Sequence, residues 1–184
     1  MIVKLKKTRL AFAHLFKPQA FEGGTGEPKF SASFLIDPKA PVIKELEAAM
    51  KDVAIAKWGP EKGPKILAQL KTQDRVCLRD GSGKSEYDGF EGMKYVAASN
   101  ATKPLVVDRN KNELSSVDGK PYAGCYVNTS VEVWAQDNKY GKRINASLRG
   151  VQFDSDGDAF SGGGAASVDE FDDLGDTGDD DDIA

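Results

Sequence analysis

The 184 residues predict a mainly β fold, and three features of the pattern carry that expectation. Apolar and polar residues alternate with period two in several short segments bounded by Gly, Pro, Asn or Asp, the signature of half-buried strands. One interval, residues 41–70, switches to helical spacing without the strand–helix–strand alternation of a doubly wound sheet. From Asp154 onward the composition changes abruptly to Gly, Ser and Asp. Together these predict a small Greek-key barrel of the OB type with an inserted α-helical segment, followed by a disordered acidic C-terminal tail. The expected division is 1–153 for the barrel domain and 154–184 for the flexible tail.

Taken in order, "LKKTRLAFAHLFKPQAF" (5–21) is rich in β formers, and "EGGTGEP" (22–28) is a loop by its glycines and proline. "KFSASFLID" (29–37) alternates: Phe30, Ala32, Phe34 and Ile36 share one face, Ser31, Ser33 and Leu35 the other. In 41–59, Ile43, Leu46, Ala49, Met50, Val53 and Ala54 form one helical stripe, with Pro41 suited to a first turn and Gly59-Pro60 to a stop. "KGPKILAQL" (62–70) suggests a shorter second helix. Residues 75–81, 93–100 and 104–108 are short strands. The strongest pair is 125–136 with 142–153, whose connector "DNKYG" has the length and composition of a hairpin loop.

Charge divides the chain sharply. Residues 154–184 hold 12 acidic side chains and no Lys or Arg, so residues 1–153 carry all 25 basic residues against 17 acidic ones. A body of +8 is thus tethered to a tail of −12. A basic domain implies an acidic partner such as nucleic acid, and an acidic tail joined to it is a built-in competitor. The plainer reading is a solvated domain with a solubilising tail.

Other functional classes find little support. Nothing resembles a secretory signal or membrane span, so no membrane partner is expected. Cys77 and Cys125 lie 48 residues apart without a CxxC spacing, which fits a reducing cytoplasm and buried strand positions. Gly83-Lys84-Ser85 has the end of a phosphate-binding loop, but the required earlier glycine is Leu78. "DSDGDAF" (154–160) alternates carboxylates like a calcium loop, yet its sixth and twelfth positions are Ala159 and Ala165. His14 is the only histidine. A histidine metal site or Ser/Cys-His catalytic unit therefore has no basis, and no metal, cofactor or catalytic residue is expected. A magnesium-dependent nuclease or recombination factor built on carboxylates remains an alternative, without a matching pair of motifs.

The hairpin gives the most specific chemistry. Val127, Val131 and Val133, with Thr129 between them, face one side of the first strand; Tyr126, Asn128, Ser130, Glu132, Trp134 and Gln136 face the other. On the second strand Ile144, Ala146 and Leu148 oppose Arg143, Asn145, Ser147 and Arg149. The aliphatic sets must meet in the core. The opposite face mixes aromatics, arginines and amides, which is what an unpaired nucleic-acid strand needs: rings to stack bases and cations to neutralise phosphates. Lys139, Tyr140, Lys142 and Arg143 make the loop a basic finger with an exposed ring. Lys7, Arg9, Arg79, Lys94 and Tyr95 are further candidates from other strands. The alternative, that Tyr126 and Trp134 pack beneath the helix and the arginines are ordinary solvated residues, stays open at this stage.

The segments "FSASFLID", "GCYVNTSVEVWAQDNKYGKRINASLRGVQF" and "DGDAFSGGG", with the acidic end, resemble the OB-fold single-stranded DNA-binding proteins of phage replication. The resemblance covers most of 1–160. It implies a non-enzymatic protein binding single-stranded DNA without strong sequence preference during replication, recombination and repair, in the host cytoplasm. It also implies an acidic tail that competes with DNA and recruits a polymerase, helicase, primase or nuclease. The expected tail contacts are Phe171 and Asp179, Asp180, Asp181 and Asp182. Members often end in an aromatic residue, whereas this chain ends Ile183-Ala184; Phe171 takes that role, or docking relies on charge. A homodimer, RNA as ligand, and a protein-interaction module that presents the tail all stay open.

Overall fold

The computed structural model describes residues 1–20, 26–160 and 171–174. Strands β1 (Ile2–Gln19), β2 (Lys29–Ile36), β3 (Leu78–Asp80), β4 (Lys94–Asn100), β5 (Leu105–Val107), β6 (Tyr126–Asn138) and β7 (Gly141–Ser155) form one sheet in the order β3-β4-β2-β1-β6-β7-β5. A parallel contact between β4 and β7, with Ser99 opposite Ser147, joins the sheet to itself. Strands β4, β2, β1, β6 and β7 thereby close as a five-stranded barrel, the OB-type architecture that the strand pattern predicts.

The long first strand serves two neighbours: its N-terminal half pairs with β6 and its C-terminal half with β2. Bulges make this possible. Val3 and Leu5 point into the core, a register shift follows before Thr8, and Thr8 and Leu10 are buried next. Lys7, with φ 49°, is the residue at which the inward set changes from odd to even numbers. A second shift lies between Ala11 and His14, where Phe12 has φ 48°. Left-handed backbone is uncommon for non-glycine residues, and an extra residue in one strand is a frequent reason for it.

Helices α1 (Val42–Trp58) and α2 (Lys62–Thr72) occupy the connection between β2 and β3. The stripe behaves as its spacing predicts: Leu46, Ala49, Met50 and Ala54 are buried, while Ile43 and Val53 pack at the margin of the main core. Gly59 (φ 91°) ends α1, its N–H donating to the Ile55 carbonyl at 2.8 Å. No helix among the described residues is long and apolar enough to cross a membrane. Both cysteines are buried and unpaired, just before β3 and β6 rather than within them. Burial pushes the Cys77 thiol up to about 11.

The boundary expected after Phe153 falls inside β7, which continues to Ser155. Residues 156–160 then strap the barrel. The Tyr122 hydroxyl donates to Asp156 Oδ1 (2.7 Å), Phe160 N–H donates to the Ala123 carbonyl (3.1 Å), and Arg9 Nη2 donates to the Asp158 carbonyl (2.8 Å). Gly124 (φ 105°) admits this strap, because a Cβ there would lie 2.2 Å from the Asp158 oxygen. The anchor is Phe160, whose ring takes the Arg9 guanidinium at 4.4 Å. One aromatic with backbone partners thus orders a segment whose average composition reads as disordered. The rest of the predicted disordered tail, 161–170 and 175–184, and most of the loop 22–28 lie outside the described residues.

Candidate nucleic-acid interface

One broad groove of about 760 Å³ crosses the barrel where it closes. Its floor is small and polar. Ser31 and Ser33 of β2 stand opposite Ser99 and Ala97 of β4, and Ser147 of β7 completes the floor across the seam. The hairpin makes one wall: Trp134 faces Asn145 and Gln136 faces Arg143 across the β6–β7 ladder. The opposite wall is Phe12, lifted out of β1 at its bulge, with Lys84 from the turn after β3. Small residues on the floor and rings on the walls leave space for a flat ligand edge-on.

Charge in the groove is one-sided. Lys29, Arg79, Lys84 and Arg143 line it, and none of its described lining residues is Asp or Glu. Burial, followed by repulsion from Arg75 and Arg79, lowers the Arg143 pKa from its ordinary value. Lys84 is also lowered, first by burial and then by Arg79, with Glu86 opposing weakly. In both cases burial first and a neighbouring guanidinium second disfavour the charged form, and an anion in the groove would favour it.

The rings are fixed but accessible. Trp134 is 41% exposed and its Nε1 donates to Ser147 Oγ at 3.0 Å, so its plane is held over the groove. Tyr140, at the hairpin tip, is 69% exposed, with Lys139 Nζ 5.1 Å from its ring centre. Phe12 meets Tyr87 edge-on at 5.0 Å, and Lys84 Nζ sits 5.4 Å from the Phe12 ring.

The helical insertion braces the finger. Arg75, after α2, donates from Nε to the Lys142 carbonyl (3.0 Å) and from Nη2 to the Tyr140 carbonyl (3.1 Å). Its own carbonyl accepts from Ile144 N–H at 3.0 Å, and Trp58 Nε1 donates to Asp137 Oδ2 at 2.8 Å. Both side chains that hold the loop, Trp58 and Arg75, come from the segment between β2 and β3.

The structure therefore gathers Arg79, Trp134 and Arg143 at the groove, with Lys139, Tyr140 and Lys142 on the adjoining finger. Lys142 also approaches Asp137 at 3.9 Å. Trp134 does not pack beneath the helix. Other expected residues serve elsewhere. Tyr95 is 3% exposed in a small cluster with Ala11, Leu35 and Phe90, because the loop 81–92 covers that end of β4. Arg9 is engaged by the Gly124 and Asp158 carbonyls and by Phe160, and half-buried Tyr126 lies beneath the strap beside it. Arg149 is the extra residue of a bulge opposite Ser130–Val131; it leans toward Glu132 at 4.0 Å and does not line the groove. Lys94 pairs with Asp80 on the β3 side, and Lys7 lies at the far bulge, its N–H bonded to Asn128 Oδ1. Phe171 is 71% exposed, and Asp179 to Asp182 lie outside the described residues.

Phe12, His14, Lys29 and Lys84 belong to the groove without a strong sequence signal. Ser31 and Ser33 share one parity of "FSASFLID", small and polar where its other face carries Phe30 and Phe34. Among the described residues no group of three or more His, Cys, Asp or Glu is placed to hold a metal ion.

A family described as the Enterobacter phage Enc34 ssDNA-binding protein matches residues 1–184. "Putative protein p50" of Acyrthosiphon pisum secondary endosymbiont phage 1 is 51% identical over 177 residues, 95% of this chain and 94% of that one. The single-stranded DNA-binding protein from bacteriophage Enc34 in complex with ssDNA superposes with a TM-score of 0.73 at 28% identity, covering 87% of this chain and 89% of that one. Gp2.5, a single-stranded DNA-binding protein encoded by bacteriophage T7, has a TM-score of 0.53 at 12% identity, over 94% and 97% of the two chains, and supports the fold alone.

Proposed function

We propose, since the chain belongs to the Enterobacter phage Enc34 ssDNA-binding protein family, that its groove holds single-stranded DNA with little sequence preference. The observation that carries this reading is a groove with four cations, two aromatic walls and no described carboxylate, set where the barrel closes. Bases stack on Trp134, Phe12 and the finger ring of Tyr140, while Lys29, Arg79, Lys84, Lys139, Lys142 and Arg143 neutralise phosphates. Exposed rings stack on base faces that a duplex keeps covered by neighbouring pairs, so the reading favours the unpaired strand. Such a protein protects DNA made single-stranded in phage replication, recombination and repair. Its role is binding, with no catalytic step assigned.

The acidic tail is the second part of the proposal. The 9 carboxylates beyond the strap compete with DNA for the basic groove and offer a handle to replication proteins such as a polymerase, helicase, primase or nuclease. Support comes from the charge division of the chain and from the chemistry of the groove.

The test is a titration of oligothymidine and of duplex of equal length at several salt concentrations. Single strand should bind more tightly, with a log–log salt slope of about −0.7 per phosphate neutralised. Equal affinity for the two at matched salt overturns the reading. Release of labelled fragments in magnesium would overturn the assignment of a purely binding role.

A further inference from the structure

A second groove, of about 590 Å³, lies away from the first. It runs between the N-terminal half of β1, the edge strand β5 and the adjoining stretches of β6 and β7. Leu105, 58% exposed, and Val107 form its apolar side. Lys4, Lys6 and Lys111 stand along it, with Glu113 as the one described carboxylate among its lining residues. No residue of this groove also lines the first. It has few groups to stack or grip a base, and its apolar strip is not needed for DNA.

The chain supplies a complementary segment. Phe171 and Leu174 are 71% and 93% exposed, three residues apart, and the two residues between them are aspartates. Val168, Asp169 and Glu170 precede them in sequence. Large apolar side chains so exposed are costly to leave in water, and carboxylates beside them match a lysine-lined apolar strip. The connection also fits. Gln152 of β7 lines the groove, and the chain reaches Phe160 eight residues later, leaving the strap at Ala123. From Phe160 to Phe171 an extended chain spans at most about 36–40 Å, enough to return around a barrel of this size.

We propose that residues 171–174 of the same chain dock in this second groove, Phe171 and Leu174 on Leu105 and Val107, the aspartates toward Lys4, Lys6 and Lys111. Docking there holds the middle of the tail on the side of the barrel away from the DNA groove. Only the last ten residues, with four consecutive aspartates, are then left to reach DNA or a partner.

The test uses the full chain carrying Thr177→Cys, three residues past the docking segment, and a nitroxide label. Buried Cys77 and Cys125 leave the new thiol as the reactive one. Selective loss of the Lys4, Leu105 and Gln152 amide signals is expected, with restoration on adding Leu105→Asp, or Phe171→Ala with Leu174→Ala. Leu105 is exposed, so its change leaves the core intact. Loss instead at Ser31, Ala97 or Asn145 places the segment in the DNA groove and overturns the proposal, as does no loss at either place. Mixing isotope-labelled chains without nitroxide with nitroxide-labelled chains at natural abundance reads a neighbouring copy; losses there assign the groove to a second molecule and also overturn it. Oligothymidine binding is measured on the same sample, so failure of this proposal is distinguishable from failure of the DNA reading.

Discussion

Trp134 is the side chain on which single-residue reasoning is most exact. Its indole is half out of the barrel, tied by Nε1 to Ser147 and flanked by Asn145 on the neighbouring strand. Trp134→Ala should cost about 1–3 kcal/mol of single-strand affinity, roughly 5- to 150-fold in Kd, by fluorescence or filter titration. Tyr126→Ala, on the same hairpin face but under the strap, should leave affinity nearly unchanged and lower the melting temperature instead. Both rings share the outward parity that the sequence predicts, and parity is all that alternation can say. What separates them is the strap 156–160, placed by Tyr122, Gly124 and Phe160 through contacts far apart in sequence. Lys84 teaches the converse. Its surroundings read as a failed phosphate loop, yet the turn sets its ammonium 5.4–6.0 Å from the Phe12, Tyr95 and Tyr87 ring centres at the groove wall.

At the scale of elements, the two helices brace the finger. Arg75 gives two of its donors to carbonyls in the finger, and Trp58 reaches Asp137 from the end of α1. Arg75→Ala should weaken single-strand binding by up to roughly 30-fold, two lost hydrogen bonds being worth about 1 kcal/mol each. Arg75→Lys discriminates position from charge: it keeps the cation but not the fork, so affinity should stay low if bracing is the role. Full rescue by lysine would assign Arg75 to phosphate neutralisation. The helices themselves were legible, because a 3.6-residue stripe survives without tertiary information. Their hold on the hairpin was not, since it joins residues 65 to 79 positions apart, through two carbonyls and one carboxylate, and leaves no mark in a local pattern. Strand β1 was legible as a strand, but which of its residues face inward was not: register shifts along it change the inward set, and no periodicity count passes through a bulge.

For the whole molecule, the charge division is the controlling quantity. Deleting residues 161–184 removes 9 carboxylates while leaving the strap and Phe160 in place. Single-strand affinity should rise several-fold at low salt and converge with that of the full chain at high salt, because the competitor is an electrostatic one. Unchanged affinity in the truncated chain would remove the tail from competition and leave it as a handle only. The closing of the barrel bears on the same question. The β4–β7 joint has one registered pair, Ser99 with Ser147, and both serines lie on the floor of the first groove. A strand lying there crosses the joint as a stitch crosses a hem: the ligand fastens the garment that wears it, and the least-paired line of the fold becomes the one best secured when the groove is filled.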